Sequence, residues 1–182
     1  YYRTLSMNIK WLTAPNAVIF ILIAACGLCA AAPAAIPPSE IAADQLEARL
    51  PDARGGQRLD ILLQLVCFHQ RQEPPKALEF GKEALELIKS HPGARKEISL
   101  VMAMGIANSE AGNTEQAREF LAKAETLVET SGIPRDHAWL DQLRGDIRRN
   151  SDDSTGALTF YSRALEAFKK LGDKEGLGTT YN

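Results

Sequence analysis

Three similar segments of the sequence are spaced by a constant forty residues. The segments KALEF, QAREF and GALTF begin at Lys76, Gln116 and Gly156, and each has alanine second and phenylalanine fifth. The pair Gly105 and Gly145 keeps the same spacing. A fixed period of this length is typical of proteins built from stacked repeats, in which each unit buries its apolar face only against its neighbours. We therefore expect a stack of similar units.

Each unit is predicted to consist of two helices. Apolar residues recur three or four positions apart, as in Leu100, Met104 and Ala107, which places them on one face of a helix. Aromatic residues make up only 7% of the chain, and the residues after 39 are rich in strong helix formers. Breaks rich in glycine, proline or small polar residues fall at 72–75, 91–93, 112–114, 131–134, 150–154 and 171–173. Thr114 and Ser154 are expected to cap the second helices of their units.

The columns shared by the units resemble the signature of the tetratricopeptide repeat (TPR) family. In the second unit, Gly105, Ala117 and Ala124 stand where that family places the glycine of its first helix and the two alanines of its second. Small residues there let the two helices approach closely where they cross. The other matching positions are Met104 and Leu121 in the second unit and Gly145, Ala157, Tyr161 and Ala164 in the third. The first unit departs from the pattern, with Leu65 for the glycine and Gly81 for the large residue.

The resemblance implies an all-α fold, a right-handed solenoid of antiparallel helix pairs. We assign the units to residues 57–96, 97–136 and 137–176, with a partial fourth unit at 177–182. The family's usual period is about 34 residues, so a period of forty implies longer helices or loops. HEAT-type repeats have a similar length but give no reason for the alanine columns. The next crossing glycine would fall at position 185, which predicts that the natural protein continues and that Phe160, Tyr161 and Phe168 are partly uncovered.

The resemblance also implies where a partner binds. The first helices of successive TPR units line a concave groove, and the matching residues here are apolar in the first half of the groove and polar in the second. They are Leu62, Val66, His69, Met102, Ile106, Ser109, Gln142, Asp146 and Arg149. Such a groove suits an amphipathic peptide or helix. Alternatively, a short helix predicted at Glu40–Leu50 covers the apolar positions. The lysine, asparagine and arginine set with which chaperone-binding TPR domains hold a C-terminal carboxylate does not appear.

The N-terminal segment has the layout of a leader that directs export. Lys10 precedes an uncharged run from Ala17 to Ala32, and this pattern predicts a signal peptide at 7–34 with cleavage after Ala34. Two alternatives stay open, namely lipidation of Cys26 and an uncleaved membrane anchor. Residues 1–6 have no assigned role, and 35–56 form a linker with the short helix. The rest of the chain is expected to be periplasmic or associated with the cell envelope.

Composition and motifs limit the function classes. A formal net charge of -2 argues against nucleic acid as a partner. His69, His91 and His137 lie in different segments, and no catalytic or phosphate-binding motif is present, so we predict no enzyme activity, metal site or cofactor. The expected partner is a protein or peptide, with membrane contact only through the N-terminal segment or regions beyond residue 182. In the alternative interpretation, the repeats are the sensory input region of a larger membrane signalling enzyme, a GGDEF diguanylate cyclase or a histidine kinase.

Overall fold

A computed structural model describes residues 40–181 of the chain, with side chains from residue 43. Within this range the backbone forms eight α-helices and no strand. The helices are α1 (Glu40–Arg49), α2 (Gly55–His69), α3 (Pro74–Ser90), α4 (Ala94–Glu110), α5 (Thr114–Ser131), α6 (Pro134–Arg149), α7 (Ser154–Leu171) and α8 (Lys174–Tyr181). The predicted leader and Cys26 lie outside the described residues. None of the helices in this range is long and apolar enough to cross a membrane.

Local sequence signals account for several helix ends. Proline occupies the first turn of α3 and of α6, where its missing N–H costs no hydrogen bond. Gly132 and Gly172 follow α5 and α7 in the left-handed conformation, with φ of 61° and 66°. The predicted caps are wrong by one residue, because Thr114 and Ser154 are the first helical residues. In α7 the cap is Asp153, whose carboxylate accepts a hydrogen bond from the Gly156 amide at 2.9 Å.

The helices pack in sequence order as antiparallel pairs, α2 with α3, α4 with α5 and α6 with α7. We call the first members of these pairs (α2, α4, α6) the inner helices and the second members (α3, α5, α7) the outer helices. Neighbouring inner helices contact each other, whereas the backbones of the outer helices do not approach one another within the described residues. This arrangement confirms the predicted all-α, solenoid-like fold class. The inner helices begin at residues 55, 94 and 134, two or three residues before the predicted unit boundaries.

The predicted N-terminal helix is present as α1, which packs mainly on α2 and also reaches α3 through the Glu47 and Lys76 side chains. Ala43 and Leu46 form a buried cluster with Ile61 and Leu65 of α2. The carboxylate of Glu47 also lies 2.6 Å from the Lys76 ammonium group. Because α1 does not approach α4, it does not cover the apolar groove positions Met102 and Ile106 as the alternative expected.

Glycine allows close packing at the third inner helix. A Cβ atom on Gly145 would lie 2.5 Å from Cε1 of Tyr161 on the paired outer helix, closer than side chains tolerate. The ring of Tyr161 therefore lies directly against the backbone of α6. The alanines of the shared columns, Ala117, Ala124, Ala157 and Ala164, are all buried.

The end of the stack is better covered than the sequence indicated. Phe168 is 0% exposed, so the prediction that it is partly uncovered is wrong. Its ring packs edge-to-face on Trp139 at 5.1 Å, and Leu177 of α8 packs against the same cluster. Gly176 lies where a Cβ would meet the Phe168 ring at 2.3 Å, so α8 settles closely over the ring. Phe160 and Tyr161 are half-buried, as expected.

We predict that Gly145→Ala destabilises the fold. Alanine in a helix interior normally gains about 0.5–1 kcal/mol over glycine, but overpacking against the Tyr161 ring costs about 1–3 kcal/mol. We expect the free energy of unfolding, measured in urea, to fall by about 1 kcal/mol. Gly178→Ala is the matched control, because nothing lies within 4 Å of the added methyl group in α8. Equal effects of the two substitutions would contradict the close packing of Tyr161 on α6.

We also predict that Leu46→Ala releases α1 from the stack. Removing a buried leucine side chain typically costs about 2–5 kcal/mol, and the loss here is limited to the docking of a terminal helix. Amide hydrogen exchange should therefore become faster in α1 while α4 keeps its protection. Leu158→Ala is the control, because Leu158 is 65% exposed and its truncation should change exchange in neither helix. Parallel loss of protection in α1 and α4 would argue against local release.

Candidate functional site

The predicted groove residues occupy mostly buried positions. Arg149 is exposed, and the other eight residues are buried: Leu62, Val66, His69, Met102, Ile106, Ser109, Gln142 and Asp146. The apolar members fill contacts between successive helix pairs. Leu62 and Val66 belong to a cluster that includes residues of α3 and α4, and Met102 and Ile106 belong to one that includes residues of α5 and α6. These four side chains therefore join the units and present little surface to a partner.

His69 is enclosed where α1 meets the first helix pair. Its Nε2 lies 3.2 Å from Oε1 of Glu47 on α1, and its ring meets Phe68 edge-to-face at 4.8 Å. The side chain of Glu73 approaches the other ring nitrogen, Nδ1, at 3.4 Å. The structure thus places His69 in the attachment of α1.

In the polar half of the predicted groove, an ion pair joins the first unit to the third. Arg71, in the connection after α2, donates two hydrogen bonds to the carboxylate of Asp146 in α6, at 3.2 and 2.7 Å. The Tyr161 hydroxyl donates to the same carboxylate at 2.8 Å. Asp146 is only 2% exposed, so these donors replace the water that its charge would otherwise require. This bridge therefore uses the polar groups of Asp146 within the chain.

Both donors of the bridge to Asp146, Tyr161 and Arg71, have raised pKa values. Burial, together with the charge and hydrogen bond of Asp146, raises the pKa of Tyr161 far above its ordinary value, so the hydroxyl remains a donor. Burial lowers the pKa of Arg71, but the carboxylates of Asp146 and Glu110 outweigh this effect and raise it overall. Both donors therefore keep their protons.

The remaining polar groove positions also have partners within the chain. Arg149 donates to the carboxylate of Glu110, and the Ser109 hydroxyl accepts a hydrogen bond from the Asn150 side chain at 3.0 Å. The Gln142 carbonyl oxygen accepts from the Thr180 hydroxyl of α8 at 3.3 Å. The structure thus connects Asp146 and Arg149 through Arg71 and Glu110, whereas Gln142 is bonded separately to α8.

An open pocket lies elsewhere, between α5, α6 and α7, with a volume of about 480 Å³. Its lining residues are Arg118, Leu121, Glu125, Arg144, Ile147, Arg148, Ser151, Asp153 and Phe160. The repeat pattern did not assign any of them to a site. One signal was available, since Phe160 belongs to the repeated segment GALTF and the arginines at 144 and 148 are spaced to share one face of a helix.

Three guanidinium groups surround the ring of Phe160. The Cζ atoms of Arg144, Arg148 and Arg163 lie 5.8, 5.4 and 5.5 Å from the ring centroid. Cations within about 6 Å of an aromatic ring are attracted by its quadrupole. The Phe160 ring therefore helps to hold the three guanidinium groups at this side of the pocket.

The arginines differ in how firmly they are held. Arg144 donates to Glu125 at 2.7 Å and to Asp141 at 2.9 Å. Burial lowers the Arg144 pKa, but the hydrogen bonds and charges of these two carboxylates raise it overall, so the guanidinium is a fixed cation. Arg118 and Arg148 are 58% and 51% exposed. Exposed ion pairs such as theirs contribute only about 0–1 kcal/mol, so both side chains are free to turn toward a ligand.

No group of three or more histidine, cysteine, aspartate or glutamate residues is arranged to hold a metal ion in the part of the chain that the structure describes. The pocket offers guanidinium donors beside an apolar floor. It is suited to binding a ligand that is partly apolar and partly charged.

We predict that Arg71→Ala lowers the free energy of unfolding by about 2 kcal/mol. Removing one partner of a buried ion pair costs about 3–5 kcal/mol, and the one-third exposure of Arg71 and the remaining Tyr161 hydrogen bond reduce that loss. Arg118→Ala is the control, because its pair with Glu115 is exposed on both sides and should contribute less than about 0.5 kcal/mol. Urea unfolding monitored by circular dichroism measures both. Equal losses would mean that the bridge adds nothing to stability.

Comparisons of this chain with protein-family models, with curated proteins and with solved structures give no match. The resemblance to TPR proteins therefore rests on the residues spaced by forty and stays a prediction.

Proposed function

We propose that this chain is an extracytoplasmic helical-repeat module of the TPR type that binds a peptide or protein partner and has no catalytic activity of its own. The observation that carries the proposal is the open pocket between α5, α6 and α7, because it is formed by two successive units of the stack. Its volume of about 480 Å³ lies within the range of about 300–1,000 Å³ that is usual for ligand sites.

The pocket is a better candidate for the binding surface than the predicted groove. Most groove side chains are buried or bonded to other residues of the chain, so binding there would first have to break those contacts. The pocket needs no such opening, since its rim residues Arg118, Arg148 and Ser151 are exposed. A segment laid across α5 and α7 would reach all three.

The predicted export, the possible lipidation of Cys26 and the role as a sensory input region stay predictions. A binding module of the cell envelope and a sensory input region would both need the repeats to bind a ligand. The pocket therefore supports the binding function that the two interpretations share.

A photo-crosslinking amino acid at the pocket tests the proposal. With p-benzoylphenylalanine in place of Ser151, ultraviolet irradiation of cells that produce the full-length chain should join it to a discrete polypeptide. The same amino acid in place of Lys82, an exposed residue of the distant helix α3, is the control and should give no such product. The product should also disappear when Arg148→Glu is added.

Two results would count against the proposal. The first is a crosslinking pattern at Ser151 that is identical to the pattern at Lys82, which would indicate random collisions. The second is a discrete product that persists when Arg148→Glu is present, which would show that the partner does not use the pocket.

A further inference from the structure

The floor of the pocket is apolar. It is formed by the side chains of Leu121 on α5, Ile147 on α6 and Phe160 on α7. Ile147 is buried, while Leu121 and Phe160 are half-buried and keep surface that faces the pocket. A large apolar side chain placed there would remove this surface from water, which contributes about 25 cal/mol per Å² of area buried.

The wall of the pocket is rich in guanidinium groups. Three arginines line it, Arg118, Arg144 and Arg148, against two carboxylates, Glu125 and Asp153, so that positive charges exceed negative ones by one. The whole chain has the opposite sign, with a formal net charge of -2. Glu115 and Asp141, which pair with Arg118 and Arg144 from outside the lining, offset the positive excess of the wall, so the pocket favours a carboxylate that replaces Glu115 and Asp153 as the partner of Arg118 and Arg148.

Two of these arginines can exchange their present ion-pair partner for a ligand at little cost. Arg148 is paired with Asp153 at 2.5 Å and Arg118 with Glu115 at 3.2 Å, and all four side chains are more than two-fifths exposed. A carboxylate held by both guanidiniums in a partly enclosed pocket would gain charge-assisted hydrogen bonds, which are stronger than exposed ion pairs. Arg144 would stay in place, held by Glu125 and Asp141.

From this juxtaposition we propose that the pocket selects a peptide segment in which a carboxylate side chain adjoins a large apolar side chain. The proposal rests on the proposed function and names the class of peptide bound. The apolar side chain packs on Phe160, Leu121 and Ile147, and the carboxylate accepts hydrogen bonds from Arg118 and Arg148. A lysine-rich segment is disfavoured because its ammonium groups would face the arginines.

The geometry also distinguishes this ligand from a simple anion. Inorganic phosphate would satisfy the arginines but would leave the apolar floor in contact with water. An apolar peptide without a carboxylate would cover the floor and leave the arginines in their present pairs. Selection therefore requires both groups on one segment.

Three short peptides, blocked at both ends, test the proposal by fluorescence polarisation with the full-length chain. The first contains a Phe-Glu pair within Gly-Ser flanks, the second replaces glutamate by glutamine, and the third replaces phenylalanine by alanine. We expect the first to bind about tenfold more tightly than either of the others. Arg148→Gln and Arg118→Gln should each weaken the Phe-Glu peptide about tenfold and leave the Phe-Gln peptide unchanged.

The control variant is Lys169→Gln, which removes an exposed cation from α7 outside the pocket and should leave all affinities unchanged. Circular dichroism establishes that each variant is folded.

Several outcomes would overturn the proposal. Equal affinity for the Phe-Glu and Phe-Gln peptides would remove the role of the carboxylate, while position-specific crosslinking at Ser151 would still support the proposed function. Complete displacement of the Phe-Glu peptide by an equal concentration of inorganic phosphate would reduce the pocket to a general anion site. Failure of all three peptides to bind, combined with no discrete crosslink at Ser151, would count against the proposed function itself.

Discussion

The enclosure of α4 and α6 is the constraint on which the rest of the structure depends. Each contacts four other helices, α2, α3, α5 and α6 around α4, and α4, α5, α7 and α8 around α6. A helix surrounded in this way must carry small or apolar residues, or polar residues with partners, on every side. The run from 98 to 109 is almost wholly buried and is rich in alanine and methionine, with Gly105 near its centre. The outer helices bury only one face, so their buried alanines recur on that face two turns apart, as Ala117 and Ala124 do in α5.

The helical repeat could be predicted from the sequence because its causes are local or periodic. Apolar spacing, proline at helix starts and glycine at helix ends placed the helices to within a few residues, and α1 at Glu40–Arg49 matches the expected Glu40–Leu50 closely. The caps were harder to place, because Asp153 and Ser154 are both favourable cap residues and stand next to each other. Which of them takes the cap depends on backbone geometry. The cover over Phe168 was missed because it depends on how closely Gly176 approaches the ring, a contact between separate helices.

The site was less predictable than the fold for a physical reason. The repeat register identifies which residues face a groove, but it contains no measure of how tightly the stack coils. That tightness is reflected in contacts between units, such as that of Arg71 in the first with Asp146 in the third and that of Thr180 in the partial fourth with Gln142 in the third. The pocket depends on three helices meeting, and its arginines are distinguished only by where Phe160 and the nearby carboxylates hold them. A surface formed by several helices takes only a few residues from each, so the sequence of no single helix predicts it.

Stacked repeats usually interact only with their immediate neighbours, so such proteins can fray from either end while the remainder stays folded. The bridge from Arg71 to Asp146 joins the first unit directly to the third, and Arg71 also lies 3.5 Å from the Glu110 carboxylate of the second unit. Loss of the first unit would leave the carboxylate of Asp146 without its cation inside the third, so the two units stabilise each other despite lying apart in the stack. The array should therefore unfold with higher cooperativity than its nearest-neighbour contacts alone would give.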